Sequence, residues 1–121
     1  KKKKKFYLNK SGNHKRDLTY IKDVVNICFK LIKYKPKKKN EIFNICSSRS
    51  IKIKKLVKIF IKEYPNAKII NVLAHKADVK DTFGSNKKIR NALNYNKFEK
   101  FEKGIKNSIK WFENNKIEKL I

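Results

Sequence analysis

Arg16 is the residue whose chemistry stands out most clearly in this sequence. It lies in the stretch Lys15–Val24, which places an arginine, acids, a threonine and a tyrosine directly before an amphipathic segment. Elements on both sides hold such an extended-to-helical junction still, and ligand-binding groups commonly lie there. A planar guanidinium can bind a phosphate through two parallel, charge-assisted hydrogen bonds. Arg16 is therefore a candidate phosphate ligand; the alternative is a surface arginine paired with Asp17 or Asp23.

Two further polar groups follow predicted strands. His75, Lys76 and Asp78 offer a donor, a cation and an acceptor within four residues. Asn44 and Ser47 lie where another strand is predicted to end, the edge at which α/β proteins place ligands. Both groups are therefore candidate ligand contacts. The alternatives are a solvated loop for the first group and strand-edge hydrogen bonding for the second.

Several catalytic motifs are missing from this sequence. The three glycines, Gly12, Gly84 and Gly104, are too far apart to form a phosphate-cradling loop such as GxGxxG. Two stretches match Tyr-x-x-x-Lys, but a proline lies between the tyrosine and the lysine in each, so the pair cannot share one helical face. We therefore predict no catalytic residue in this chain. Two histidines and two cysteines without CxxC or HxxxH spacing predict no metal site either.

The composition is that of a small globular domain with an extreme positive charge. The 121 residues carry a formal charge of +24, and 40% of them are hydrophobic. Such a charge suggests nucleic-acid binding, and a small lysine-rich nucleic-acid-binding module is the alternative function. We expect no nucleic-acid partner, because the lysines are spread along the whole chain and arginine, which suits phosphate recognition better, is scarce.

The remaining features of composition concern location and completeness. No apolar run approaches the ~18 residues of a membrane span, so we expect no membrane partner. Cys28 and Cys46 have apolar neighbours and are predicted to be buried, reduced thiols, as in a cytoplasmic protein. The chain contains no methionine and no signal peptide. We therefore expect it to be an internal or C-terminal piece of a longer cytoplasmic protein.

Hydrophobic spacing predicts an α/β fold that positions these candidates. Helices are predicted to start at Thr19 or Tyr20, Ser50 and Ser85, with the hydroxyl groups as caps. A last helix contains Phe101, Trp111 and Phe112, three predicted core residues. Strands are predicted at Phe6–Leu8, Glu41–Cys46 and Ala67–Leu73, the second of them buried on both faces.

Four blocks of this sequence, in order, resemble one known family. The segment from Gly12 to Val25, with Arg16-Asp17-Leu18-Thr19-Tyr20-Ile21 at its centre, is similar to the Arg-Asp-Phe-Thr-Tyr-Ile/Val segment of extended short-chain dehydrogenases/reductases, the NAD-dependent nucleotide-sugar epimerases and dehydratases. Glu41 to Ser48 resembles the family's Tyr-Asn-Ile-Gly strand. His75 to Ser85 resembles its Arg/Gln-Pro-Gly-Asp-Val segment, and Asn94 to Phe112 resembles its terminal elements.

This resemblance implies a fold, a cofactor and a set of contacts. The chain would be the C-terminal, substrate-binding portion of a Rossmann-fold enzyme: about residues 15–48 would end the Rossmann core, and about 49–121 would mainly form the small substrate-binding subdomain. The absent N-terminal half would bind NAD and carry the catalytic tyrosine and lysine, and the complete enzyme would be a homodimer. Arg16 and His75, with Lys76 beside it, would contact the substrate's diphosphate and Asp78 its ribose, while Asn44 and Ser47 would lie near the cofactor.

The resemblance also implies a reaction for the complete enzyme. Bound NAD would oxidise a hydroxyl of a UDP- or dTDP-sugar, and the keto sugar would be re-reduced from the other face or would lose water. This chain by itself would be inactive. A third interpretation is a non-catalytic interaction domain descended from the same portion of such an enzyme.

Overall fold

A computed structural model describes residues 5–73 and 77–115 of the chain. The described elements are strand β1 (Lys5–Asn9), a one-turn 3-10 helix (Lys10–Gly12), strand β2 (Lys15–Asp17), helix α1 (Ile21–Ile32), strand β3 (Ser50–Lys52), helix α2 (Ile53–Glu63), strand β4 (Lys68–Val72), helix α3 (Lys87–Leu93) and helix α4 (Phe101–Asn114). The predicted α/β class is confirmed. The chain divides into two compact units: unit 1 comprises residues 1–18 and 48–84, and unit 2 comprises residues 19–47 and 85–121.

Unit 1 is built on two small sheets and helix α2. β1 and β4 pair in parallel, with Lys5 opposite Lys68 and Asn9 opposite Val72. β2 and β3 pair antiparallel, with Arg16 opposite Ile51. Gly12 closes the 3-10 turn against the start of α2 with a φ of 69°, a left-handed conformation that glycine adopts without strain.

The small apolar core of unit 2 lies between α1, α3 and two irregular segments. Ile27 of α1 and Ile89 of α3 are fully buried, and Tyr95 joins them. The partly buried side chains around them are Leu31, Phe43, Ile45, Leu93 and Phe98. The core therefore covers only one side of α1, since every third or fourth residue of a helix faces the same way.

The prediction of a strand at Glu41–Cys46 is wrong. The segment is irregular, and Ile42 is 83% exposed. A strand needs a neighbouring strand to bond its carbonyl groups, and the two sheets among the described residues contain only β1 to β4. Side chains from the region of α3 bond them instead: Lys88 Nζ donates to Ile42 O (2.8 Å) and Asn86 Nδ2 donates to Cys46 O (2.9 Å).

The predicted hydroxyl caps are also wrong, because each helix starts one to three residues later. α1, α2 and α3 follow Tyr20, Lys52 and Asn86, and none of these residues makes a side-chain capping bond. Thr19 Oγ1 instead accepts a hydrogen bond from Ser47 N (3.0 Å), and Ser50 Oγ donates to Thr82 O (3.0 Å).

Three residues expected in the interior lie at the surface. Cys28 is exposed, and Trp111 and Phe112 are 60% and 49% exposed. The single-sequence pattern distinguishes the apolar side of a helix but not how much of that side has a neighbour to pack on. Among the described residues, no helix is long and apolar enough to cross a membrane.

Candidate functional site

Arg16 and Asp78 form an ion pair in unit 1, although 62 positions separate them in the sequence. Arg16 Nη2 lies 2.9 Å from Asp78 Oδ1, and the two side chains are only 23% and 21% exposed. Arg16 Nη1 donates to two backbone carbonyls, Lys15 O (2.9 Å) and Lys80 O (3.2 Å). The carboxylate beside Arg16 is thus Asp78 rather than Asp17 or Asp23, its neighbours in sequence.

The backbone around this pair is fixed by bonds between β2 and the loop that follows Asp78. Lys15 N donates to Asp81 Oδ1 (2.8 Å), and Thr82 N donates to Lys15 O (3.1 Å). Asp17 adds two bonds, because its N–H donates to Thr82 Oγ1 (3.1 Å) and its Oδ2 accepts from Gly84 N (3.2 Å). The backbone of Arg16 therefore lies between two bonded neighbours, while the bonds of its own Nη1 and Nη2 hold the guanidinium.

The guanidinium keeps unused capacity for a ligand. An arginine has five N–H donors, and the contacts described above use both hydrogens on Nη1 and one on Nη2. Within the described part of the chain, the Nε–H and the second Nη2 hydrogen have no acceptor, and Asp78 Oδ2 has no donor. Two free donors beside a free carboxylate oxygen can bind a phosphate and a hydroxyl group side by side.

Arg16 and Asp78 are the two predicted contacts that the structure brings together within one unit. His75 and Lys76 lie outside the described residues. Asn44 is exposed and Ser47 is buried, and both belong to unit 2, whereas Arg16 and Asp78 belong to unit 1. The Ser47 backbone N–H is already bonded to Thr19.

A lysine cleft at the start of α2 is a feature that the sequence reasoning missed. The cleft has a volume of ≈ 380 Å³ and is lined by Ser50, Ile51, Lys52, Lys54, Lys55 and Lys58. The first turn of α2 contains no acidic residue, although acids are favoured at the positive end of a helix. Because lysines occur along the whole sequence, the sequence does not show which of them lie together, whereas the structure does.

A second cavity, in unit 2, surrounds the buried carboxylate of Asp23. This cavity of ≈ 630 Å³ lies between α1, residues 95–100 and the start of α4. Asp23 is 5% exposed and accepts hydrogen bonds from Tyr95 Oη (3.0 Å) and Glu99 N (2.9 Å). Burial raises the pKa of Tyr95, and its hydrogen bond to Asp23 raises this pKa further.

The rim of this cavity carries an exposed ion pair. Lys103 Nζ lies 2.9 Å from Glu99 Oε2. This hydrogen bond lowers the pKa of Glu99 and raises the pKa of Lys103. Because Asp23, Tyr95 and Glu99 N satisfy one another, the centre of the cavity is a structural tie between α1 and the start of α4.

The described residues do not by themselves suit a metal ion or a dinucleotide. Among them, no three His, Cys, Asp or Glu side chains come together. The glycines serve other purposes: Gly12 makes a turn, Gly84 N bonds Asp17, and Gly104 lies inside α4 against the ring of Tyr20. A pyrophosphate needs several glycines in one loop so that the backbone can approach it, and this part of the chain offers none.

Comparison with known proteins identifies relatives of this chain. A model of the NAD dependent epimerase/dehydratase family matches residues 1–46. An uncharacterized protein of Methanocaldococcus jannaschii is 33% identical over 107 residues, which cover 87% of this chain and 32% of that protein.

Solved structures share the fold at lower sequence identity. UDP-glucose 4-epimerase of Thermotoga maritima, solved with UDP-glucose, matches 92% of this chain and 35% of its own with a TM-score of 0.80 and 21% identity. UDP-glucuronic acid 4-epimerase of Bacillus cereus, solved with UDP-glucuronic acid and NAD, matches 93% of this chain and 36% of its own with a TM-score of 0.80 and 18% identity. At these identities the likeness establishes the fold.

The chain therefore spans about a third of the length of the relatives that it matches. NAD is bound in the Bacillus cereus relative, which agrees with NAD as the cofactor of the family. The resemblance predicted from the sequence is confirmed: the chain has the α/β fold of these epimerases, and its residues 1–46 match the model of the NAD dependent epimerase/dehydratase family.

Proposed function

We propose that this chain is the nucleotide-sugar-binding, C-terminal portion of an NAD-dependent sugar epimerase or dehydratase. In this proposal about residues 15–48 end the Rossmann core and about 49–121 mainly form the substrate-binding subdomain. The observation that carries the proposal is the ion pair between Arg16 and Asp78. The family resemblance assigns these two residues to the substrate's diphosphate and ribose, which are neighbouring groups of one molecule.

The chemistry of the pair suits those two groups. The free Nε–H and Nη2–H of Arg16 donate to oxygens of the diphosphate, and each such bond between charged groups contributes about 1.5–3 kcal/mol. The free Oδ2 of Asp78 accepts a hydrogen bond from a ribose hydroxyl. His75 and Lys76, which the resemblance places on the diphosphate, add to the positive charge there.

The pair is also organised before the substrate arrives. The bonds of Nη1 to Lys15 O and Lys80 O hold the guanidinium in place, so that little side-chain freedom is lost on binding. A diphosphate held at this point fixes the sugar ring relative to the nicotinamide of NAD. NAD supplies the hydride chemistry, and we assign its binding to polypeptide outside these 121 residues.

The test is nucleotide-sugar binding by the complete gene product that contains these residues. Calorimetry with UDP-glucose and dTDP-glucose at saturating NAD is expected to show affinity reduced about 150-fold or more by Arg16→Ala, because two charged hydrogen bonds of about 1.5–3 kcal/mol each are lost. Asp78→Asn is expected to weaken binding less, because an amide still accepts a hydrogen bond. The 121-residue chain alone is expected to show no turnover.

Arg90→Ala is the matched control. Arg90 is an arginine of unit 2 whose Nε and Nη2 both donate to Asn96 Oδ1, at 3.0 and 2.8 Å, and its removal is expected to leave affinity unchanged. Equal affinity in the Arg16→Ala variant and the unmodified protein would contradict the proposal.

The lysine cleft supports a second candidate function, nucleic-acid binding. The lining of one cleft contains four lysines and no acidic residue, and lysines neutralise phosphates in a salt-dependent way. The triple change of Lys52, Lys54 and Lys58 to Ala should then reduce the slope of log affinity against log salt by about 2–3 for a single-stranded RNA. Lys106, Lys110 and Lys33 changed to Ala provide a control of equal charge in unit 2; equal slopes for the two triple variants would exclude the cleft as the binding site.

A further inference from the structure

Residues 78–84 lie along strand β2 and are held there by hydrogen bonds rather than by apolar packing. The two large apolar side chains of this segment, Val79 and Phe83, are 59% and 69% exposed, and Thr82 is exposed as well. A surface segment without buried apolar side chains keeps one arrangement only where its polar groups have partners. We name residues 78–84 the tethered segment.

Thr82 contributes three polar groups to this attachment. Its backbone N–H donates to Lys15 O (3.1 Å), its Oγ1 accepts from Asp17 N (3.1 Å), and its carbonyl oxygen accepts from Ser50 Oγ (3.0 Å). Asp17 and Ser50 stand opposite each other in the pairing of β2 with β3. Thr82 is therefore bonded to both strands at one position of their ladder.

These bonds determine where Asp78 lies relative to Arg16. Lys15 and Asp17, the two residues that Thr82 contacts on β2, flank Arg16 directly, and Asp78 lies four positions before Thr82. The contact of 2.9 Å between Arg16 and Asp78 completes a short closed loop of chain and bonds. In such a loop, release of one end gives the other end more freedom.

We propose that Thr82 is a positioning residue for the nucleotide-sugar site. The proposal rests on the proposed function, which assigns Arg16 and Asp78 to the diphosphate and the ribose. Thr82 contacts neither group; it holds the tethered segment on β2 and β3 and so keeps the carboxylate of Asp78 beside the guanidinium before the substrate arrives. Without its hydroxyl group, part of the protein adopts arrangements that cannot bind, and the apparent affinity falls by the fraction lost.

Thr82→Val in the complete gene product tests this assignment, because valine replaces the hydroxyl with a methyl group and removes the acceptor of Asp17 N. Calorimetry at saturating NAD measures binding of UDP-glucose or dTDP-glucose, whichever the unmodified protein binds more tightly. The dissociation constant is expected to rise about 2- to 10-fold, since the loss cannot exceed the factor that one hydrogen bond contributes to the organised state. Thr82→Ser keeps the hydroxyl and is expected to restore the affinity.

The number of binding sites and the affinity for NAD separate positioning from a loss of folded protein. A variant that is only less stable loses molecules to irreversible unfolding, so that the number of sites falls while the dissociation constant of the remaining molecules stays the same. Thr82→Val is expected to keep both the number of sites and the affinity for NAD. An unchanged dissociation constant for the nucleotide sugar would overturn the proposal, whatever the number of sites.

Tyr34→Phe is the matched control. The hydroxyl of Tyr34 donates to Glu41 Oε2 (2.9 Å), so this change also removes one hydroxyl hydrogen bond, but in unit 2. It is expected to leave the affinity for the nucleotide sugar unchanged, and equal weakening in Thr82→Val and Tyr34→Phe would overturn the proposal.

Ser50→Ala removes the other side-chain bond to Thr82 and decides the question where Thr82→Val does not fold. It is expected to raise the dissociation constant within the same range of about 2- to 10-fold. An unchanged dissociation constant in Ser50→Ala would then overturn the proposal.

Arg16→Ala in the same assay separates a failure of this inference from a failure of the proposed function. Weaker binding in Arg16→Ala with unchanged affinity in Thr82→Val would overturn the positioning role and leave the substrate site in place. Unchanged affinity in Arg16→Ala would refute the substrate site itself, and the positioning role with it.

Discussion

Replacing Asp23 is expected to be the most destabilising single polar change in unit 2. Its carboxylate is 5% exposed and holds two donors from another part of the chain, Tyr95 Oη at 3.0 Å and Glu99 N at 2.9 Å. The second donor stands at the entrance to α4, two residues before Phe101. Asp23→Ala therefore cuts the polar tie between the first turn of α1 and the start of α4.

The expected loss of unfolding free energy in Asp23→Ala comes from the two hydrogen bonds that are removed and from the two donors that are left without their acceptor. Hydrogen bonds to a charged group contribute about 1.5–3 kcal/mol each, and the Tyr95 hydroxyl, in a residue that is 7% exposed, loses its carboxylate acceptor. The cavity beside Asp23 can admit water, which recovers part of the loss. We expect the free energy of unfolding to fall by about 3 kcal/mol in Asp23→Ala and by about half of that in Asp23→Asn. In Tyr95→Phe it should fall by about 1–1.5 kcal/mol.

Urea unfolding followed by the fluorescence of Trp111 measures these differences, because this residue is the only tryptophan and lies on α4. Glu99→Gln is the control: it keeps the backbone N–H that Asp23 accepts and an amide oxygen that can still accept from Lys100 N, and it removes the negative charge beside the exposed Lys103, so little change in the free energy of unfolding is expected. An Asp23→Ala protein whose free energy of unfolding lies within about 0.5 kcal/mol of the unmodified chain would refute the reasoning.

The same tie predicts a pH dependence. Burial and the hydrogen bond to Asp23 raise the pKa of Tyr95 above its ordinary value, so the unfolded chain loses the phenol proton at lower pH than the folded chain. The contribution of Tyr95 to stability is then complete below about pH 10 and is lost as the pH rises through the raised pKa. The difference in unfolding free energy between the unmodified chain and Tyr95→Phe should shrink above about pH 10; a constant difference would contradict this assignment.

Two glycine substitutions are expected to change the stability in opposite directions, and thermal unfolding measures both changes. Gly12→Ala should destabilise by about 2 kcal/mol or more, because the residue has a φ of 69° and the new Cβ would lie 2.7 Å from Lys54 N; an unchanged melting temperature would show that the turn adapts. Gly104→Ala should stabilise by about 0.5–1 kcal/mol through helix propensity, because the new Cβ meets the Tyr20 ring at 3.4 Å, close to ordinary contact. Destabilisation there would mean that the ring cannot move.

Helices and local strands could be predicted from the sequence because their signals are local. The helix predicted to start at Thr19 or Tyr20 corresponds to α1, and the strands predicted at Phe6–Leu8 and Ala67–Leu73 correspond to β1 and β4. In each case the apolar spacing over a few residues matches the period of the element. The parallel pairing of β1 with β4 joins positions more than 60 residues apart, and no local pattern encodes it.

The errors have a common physical cause, which is competition from distant partners. Thr19 and Ser50 have the hydroxyl groups of good helix caps, but Ser47 N and the Thr82 carbonyl use them instead. Likewise, the carbonyls of Ile42 and Cys46 are bonded by side chains of Lys88 and Asn86 rather than by a neighbouring strand. Propensity gives the local preference of a residue, and contacts from elsewhere in the chain decide which bond it makes.

The candidate site shows what a resemblance adds to physical reasoning. Charge and spacing alone offer Arg16 a partner at Asp17 or Asp23, the nearest acids along the chain. The resemblance selected Asp78 instead as the companion of Arg16 on one ligand, and the structure brings these two residues to 2.9 Å. This ion pair, in which both side chains are mostly buried, is the physical observation that supports the proposed substrate site. The two free N–H groups of Arg16 are the atoms on which that proposal depends.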